Sequence, residues 1–169
     1  MTSWKGPKVS KGANLEDVMR RTCAALGLPE PLTVEIAVSR TQKHTTGRCW
    51  WTQKRIYVTV GLDADRAALE EVMMHEVCHL PAHGHDAAFR ARVVKAAKAV
   101  FGVDASDHER TPKVYALDSV IRKRLRVKLG LPEKKEWLDP EATCETKAAA
   151  VKTLPAGRWV TEPNPWVWG

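Results

Sequence analysis

Residues 63–89 read DADRAALEEVMMHEVCHLPAHGHDAAF, and inside them two histidines stand four positions apart with a glutamate after the first: His75-Glu76-Val77-Cys78-His79. Asp63 or Asp65 is suited to cap a helix and Pro81 to stop it, so the segment as far as about Leu80 is predicted helical. Leu69, Val72, Met73 and Leu80 fall on one stripe at about 100° per residue and mark its core face. At that spacing His75 and His79 project to the same side, roughly 40° apart, so both imidazoles can reach one ion. Glu76 lies between them and the core stripe, where its carboxylate can approach a water held by the ion. Cys78 points away from the pair and is expected as a small buried apolar side chain. Neutral imidazole suits zinc, and a catalytic zinc takes three protein ligands with a fourth position open. The third ligand has to come from beyond the helix, where His83 and His85 compete. Pro81 breaks the helix and Gly84 allows a sharp turn, which lets residue 85 swing back under the ion and favours His85. His83 sits on the turn itself.

Outward from this stretch the pattern is mixed. Asn14 can cap a helix with Glu16 and Asp17 in its first turn; Leu15, Val18, Met19, Thr22 and Leu26 recur at helical spacing and Gly27 stops it. Val34, Ile36 and Val38 alternate in a strand over residues 33–38, Arg48 to Trp51 reads as a second, and Ile56, Val58 and Val60 face inward from a third over 55–60. Residues 40–47 are polar and read as a loop, and Gln53-Lys54 as a turn. Three short strands joined by short turns predict a small, mostly antiparallel sheet. Asp86 caps a further helix through Phe101, with Phe89, Val93, Ala97 and Val100 on its core face. A last helix starts at Thr111-Pro112, repeats Leu117, Ile121, Leu125 and Leu129, and ends at Gly130. The fold class predicted is α+β, a three-stranded sheet with the HExxH helix and flanking helices.

Composition narrows the class. With 169 residues, 44% hydrophobic and 28% charged, the chain suits one soluble domain plus an appendage. The apolar runs fall far short of the roughly 20 residues of a membrane span. The first residues carry lysines with no apolar stretch after them, so a cytoplasmic protein without a secretory signal is expected. Cys23, Cys49, Cys78 and Cys144 form no CxxC pair, which speaks against a zinc ribbon and a disulfide framework. Net charge is +7, and residues 110–135 hold nine Lys or Arg against two acids. Such a block predicts either a solvated helix face or a polyanionic partner, nucleic acid first, through Lys113, Arg122, Lys123, Arg124, Arg126 and Lys128. Trp50 and Trp51 can stack on unpaired bases or pack with one ring inward. The tail after residue 153, with three tryptophans among three prolines, is expected to fold back on its own domain or to dock on a partner. The organisation predicted is a flexible arm over 1–13, a core over 14–131 and a C-terminal extension over 132–169.

His75 to Phe89, HEVCHLPAHGHDAAF, resembles the signature of the SprT-like and YgjP-like zinc metallopeptidases, in which HExxHL precedes a short loop, a third histidine and an aromatic residue. A turn with Gly47, the strand over 55–60 and the helix leading into the motif fit as well, so the resemblance covers roughly residues 15–105. It implies a small zincin core holding one Zn2+ on His75, His79 and His85, with Glu76 as general base and Phe89 behind the site. It also implies a protein or peptide substrate, extending to DNA-associated proteins, and a sheet edge at residues 55–60 along which an extended peptide adds as a strand. The chain lacks the C-terminal cysteine ribbon that many SprT-like proteins carry, and Ala82 stands where metzincins of the same spacing have glycine. Tyr57, Tyr115 and His108 are candidates to stabilise an oxyanion. Two rival readings remain at this level: a nucleic-acid-binding module with structural zinc, and a zinc hydrolase of a non-peptide substrate such as a nucleotide.

Overall fold

Alternating β-branched residues build the sheet, and runs at helical spacing cover one of its faces. In a computed structural model, residues 1–6, 12–62, 64–111 and 113–132 are described, all within one compact unit, Met1–Glu133. The elements are β1 (Ser3–Lys5), α1 (Leu15–Leu26), β2 (Thr33–Val38), β3 (Thr46–Trp50), β4 (Arg55–Val60), α2 (Arg66–Cys78), α3 (Ala87–Ala96) and α4 (Val114–Lys128). A π turn over Ala97–Phe101 prolongs α3. The class is α+β, as expected. No helix among the described residues is long and apolar enough to cross a membrane. The tryptophan-rich tail lies outside the described residues.

The sheet departs from the three-stranded, mostly antiparallel prediction. It has four strands in the order β1-β2-β4-β3, with β1 and β4 both parallel to β2, and only β3 antiparallel, to β4. Two causes account for this. The loop over residues 39–45 carries the chain past one strand position before β3 begins, and the turn after β3 returns β4 into the gap beside β2. Ser39 N–H donates to Val60 O and Gly61 N–H to Thr45 Oγ1, tying that loop to the end of β4. The second cause is that Ser3–Lys5 are not a flexible arm but an edge strand, with Trp4 packed against the core and α1 as the crossover that a parallel pair requires. Three residues are too few to show a period in the sequence.

The expected sheet edge at residues 55–60 is also corrected. β4 pairs on both sides and has no free edge; the edge on this side of the sheet is β3. Ile56, Val58 and Val60 on β4 and Val34 on β2 face the helices and are buried.

α2 is the central helix. Asp65 caps it, accepting from Ala68 N–H at 2.8 Å, and it is buried almost all round, with Glu70, Glu71 and Glu76 covered along with its apolar residues. It touches α1, α3, α4, β3 and β4, so a single apolar stripe understates its surroundings. α4 lays Leu117, Ile121 and Leu125, all at most 2% exposed, into the core beside it.

Candidate metal centre

The end of α2 and the turn after it bring three histidines together. His79 caps the helix, Gly84 takes a left-handed φ of 103°, and Asp86 caps α3 by accepting from Phe89 N–H at 2.7 Å. The turn is pinned through its carbonyls by three cations. Arg92 Nε donates to Cys78 O at 3.1 Å, Lys54 Nζ to Leu80 O at 3.1 Å, and Arg90 Nη1 to His85 O at 2.8 Å. His85 thereby swings back over the helix. Its Nε2 lies 3.0 Å from His79 Nε2 and 3.3 Å from His75 Nε2, and the last two are 3.3 Å apart. These three side chains form a group able to hold a metal ion, and His83 stands outside it, its ring 6.2 Å from that of His79. The fully buried Phe89 backs all three rings, with centroids at 5.0, 4.2 and 4.9 Å from His75, His79 and His85. Cys78 is buried and outside the group, as its position on the helix required.

The electrostatics favour a positive charge at the centre of the group. His75 Nδ1 lies 3.1 Å from Asp118 Oδ1. Burial opposes charge on His75, but the Asp118 hydrogen bond and the negative charges of Asp118, Glu76 and Glu71 more than reverse this and lift the ring to about 9. Burial and then the His75 charge hold His79 down to about 3, and the same two causes lower His85. Without a metal the extra proton of the group is thus favoured on His75, beside two rings biased towards the neutral form. A divalent ion can replace that proton, because neutral imidazole nitrogens are the ligands such ions take.

Glu76 is 6% exposed and lies against β3. A Cβ built on Gly47 would fall 2.5 Å from Glu76 Oε1 and 2.7 Å from Cδ, so only glycine leaves room for this carboxylate. Burial pushes the Glu76 carboxyl up to about 7, with His75 and Arg48 opposing the rise. A carboxyl poised there can both take and give a proton near neutral pH.

Sequence reasoning missed the outer partners: Asp118, Lys54, Arg90 and Arg92, together with Gly47 as the seat of Glu76. One signal was available, since Asp118 is the single acid within the basic helix.

That helix does not present its cations on one free face. Arg122 binds Glu71, Arg124 binds Asp107 and the carbonyl of Asp104, Arg126 pairs with Asp65, and Lys128 Nζ donates to Phe101 O at 2.5 Å. Lys113 is exposed, 5.7 Å from the Tyr115 ring, and Lys123 is exposed. Trp50 is half-buried on the sheet face turned away from the helices, with the Arg55 guanidinium 4.9 Å from its ring, while Trp51 is exposed. Of the oxyanion candidates, Tyr57 packs edge-on against Trp50, His108 pairs with Asp107, and Tyr115 stands exposed one helical turn before Asp118. None of the three is thereby placed on Glu76.

Neither a curated protein nor a solved structure gives a significant match to the chain. The SprT-like family matches residues 13–109, more than half of the sequence, from α1 through the sheet strands β2–β4, α2, the His85 turn and α3. A match of that extent, taking in the histidine group and Glu76, establishes that the chain belongs to the SprT-like family.

Proposed function

We propose that this protein is a zinc-dependent metallopeptidase, with His75, His79 and His85 holding one Zn2+ and Glu76 acting as general base. The observation that carries this reading is the convergence of three Nε2 atoms within 3.0–3.3 Å of one another beside a buried glutamate. The centre of that triangle lies about 1.9 Å from each nitrogen, close to the roughly 2.0–2.1 Å of a zinc–imidazole bond. When bound, zinc supplies Lewis-acid activation of water and of the substrate carbonyl. Glu76 takes the proton of the attacking water and returns it to the leaving amine, a role that its raised pKa suits. Phe89 and the fully covered end of α2 exclude bulk water from behind the histidines.

The substrate in this reading is an extended peptide that adds to the edge of β3, unpaired among the described residues, whose Gly47 lies against Glu76. Backbone hydrogen bonds along that edge would align a scissile carbonyl with Glu76.

The test is metal analysis of the purified chain, then assays with casein, single-stranded DNA and nucleoside triphosphates, each with and without a chelator. One zinc per chain and chelator-sensitive cleavage of casein are expected. Glu76→Gln should keep the metal and the melting curve while losing about 10²–10⁴ of turnover. A chain that stays metal-free when zinc is offered, or a Glu76→Gln variant that cleaves at the wild-type rate, refutes the reading. Hydrolysis of the nucleotides alone would transfer the same centre to another substrate.

A further inference from the structure

Three polar pairs run in step along the interface of α2 and α4. His75 Nδ1 meets Asp118 Oδ1 at 3.1 Å, Glu71 Oε2 meets Arg122 Nε and Nη2 at 3.0 and 2.5 Å, and Asp65 at the cap of α2 pairs with Arg126. On α2 the order ascends from Asp65 through Glu71 to His75, and on α4 it descends from Arg126 through Arg122 to Asp118, as antiparallel neighbours require. The first two pairs sit one turn apart on both helices, so each reinforces the register of the other. Leu117 and Ile121, fully buried, flank Asp118 and fix the side of α4 that it occupies.

The pairs divide the work. Glu71 has only 2% of its side chain exposed, and Arg122 neutralises a carboxylate that would otherwise be costly to bury. Asp118 uses the position so fixed to reach the metal group. A carboxylate can only accept, so the ring nitrogen facing it, His75 Nδ1, carries the proton. In the neutral ring that a metal ligand requires, the lone pair of His75 then lies on Nε2, the atom that faces His79 and His85.

We propose that α4, which lies beyond the family match, supplies the outer shell of the metal centre, with Asp118 as a positioning residue for His75 held in place by the Arg122–Glu71 pair. The inference rests on the zinc reading of the histidine group. Asp118 fixes the tautomer and the orientation of the His75 ring and strengthens its nitrogen as a ligand. Through Arg122 and Arg126 the basic helix thus braces α2 at Glu71 and at its Asp65 cap.

Asp118→Ala and Asp118→Asn in the full chain test this. Zinc affinity is measured by competition with a chromophoric chelator, and ligand geometry by the visible absorption of the cobalt-substituted protein. Zinc binding should weaken by about 10–100-fold in Asp118→Ala, with a shifted and weaker cobalt spectrum. Asp118→Asn, which keeps an acceptor for Nδ1, should fall between the two. If circular dichroism shows that the alanine variant does not fold, the asparagine variant decides: zinc affinity within about twofold of wild type overturns the proposal, and a larger loss supports it. Wild-type protein that binds no zinc strikes down the metallopeptidase reading itself. Wild-type protein that binds zinc, with folded variants matching it in affinity and spectrum, removes only the role given to Asp118.

Discussion

Gly47→Ala is the most direct probe of how the sheet serves the site. Gly47 pairs with Val58 and its φ is not left-handed, so alanine adds no backbone strain and its effect is steric. The new methyl would sit 2.5 Å from Glu76 Oε1 and 2.7 Å from Cδ, about 1 Å inside the contact distance of roughly 3.5–4.0 Å that carbon atoms prefer. Glu76 has little room to yield, because it is 6% exposed, so either its carboxylate rotates out of place or β3 moves off α2. Overpacking of this kind costs about 1–3 kcal/mol of stability. If Glu76 is the general base proposed above, a displacement near 1 Å costs about 10²-fold in turnover. The expected variant is therefore folded, somewhat less stable in urea, fully zinc-loaded, and about a hundredfold slower on casein. In a Glu76→Gln background the same alanine should lower stability equally and turnover no further. Wild-type turnover in Gly47→Ala, or loss of zinc with Glu76 intact, would refute the proposed role of the contact between β3 and Glu76.

Other consequences concern the interior. Arg122→Met strands the Glu71 carboxylate and should destabilise the zinc-loaded chain by about 3 kcal/mol in urea unfolding, the low end for a buried pair because the Arg122 side chain is 33% exposed; Glu71→Gln on top of it should recover part of the loss. Burial pushes the Cys23 and Cys49 thiols up to about 11 and about 12 and Cys78 higher still, so the thiolate forms only above those values. Near neutral pH the folded chain should leave all three almost untouched by iodoacetamide and react at them once unfolded in urea, and rapid native alkylation of Cys78 would contradict the burial of α2.

How far the sequence could be read depended on the distance over which each feature is encoded. His75, His79 and His85 lie within one short stretch, and Pro81 and Gly84 between them announce the bend, so the histidine group follows from helix geometry and turn chemistry. The strands over 33–38 and 55–60 declare themselves by alternation, and their observed limits agree. Strand order is another matter. Nothing in the polar loop over 39–45 states that it passes one strand position, and the three residues of β1 have no period to detect. The apolar stripe of α2 likewise left its acids Glu70 and Glu71 unplaced. Both are buried: Glu70 meets Arg66 one turn away on the same helix, whereas Glu71 meets Arg122 of α4, which no local rule couples to it. The charge block in α4 was visible; the acids it answers were not.

This separation in sequence also separates the ways the site can fail. Glu76, the proposed general base, is seated against β3, and His75, the first proposed ligand, is held by Asp118 of α4. Damage at β3 displaces Glu76 while leaving the three Nε2 atoms converged, so turnover should fall with the metal in place. Damage at α4 releases the His75 ring while leaving Glu76 against Gly47, so metal affinity should fall first and turnover should recover as zinc is raised. A centre held by α2 alone could not show that division, because any change that moved the helix would move the ligands and the base together. Titrating zinc into Gly47→Ala and Asp118→Asn side by side therefore distinguishes a scaffold of three independent supports from one rigid helix: rescue by zinc in the second and not in the first is the pattern that the geometry requires.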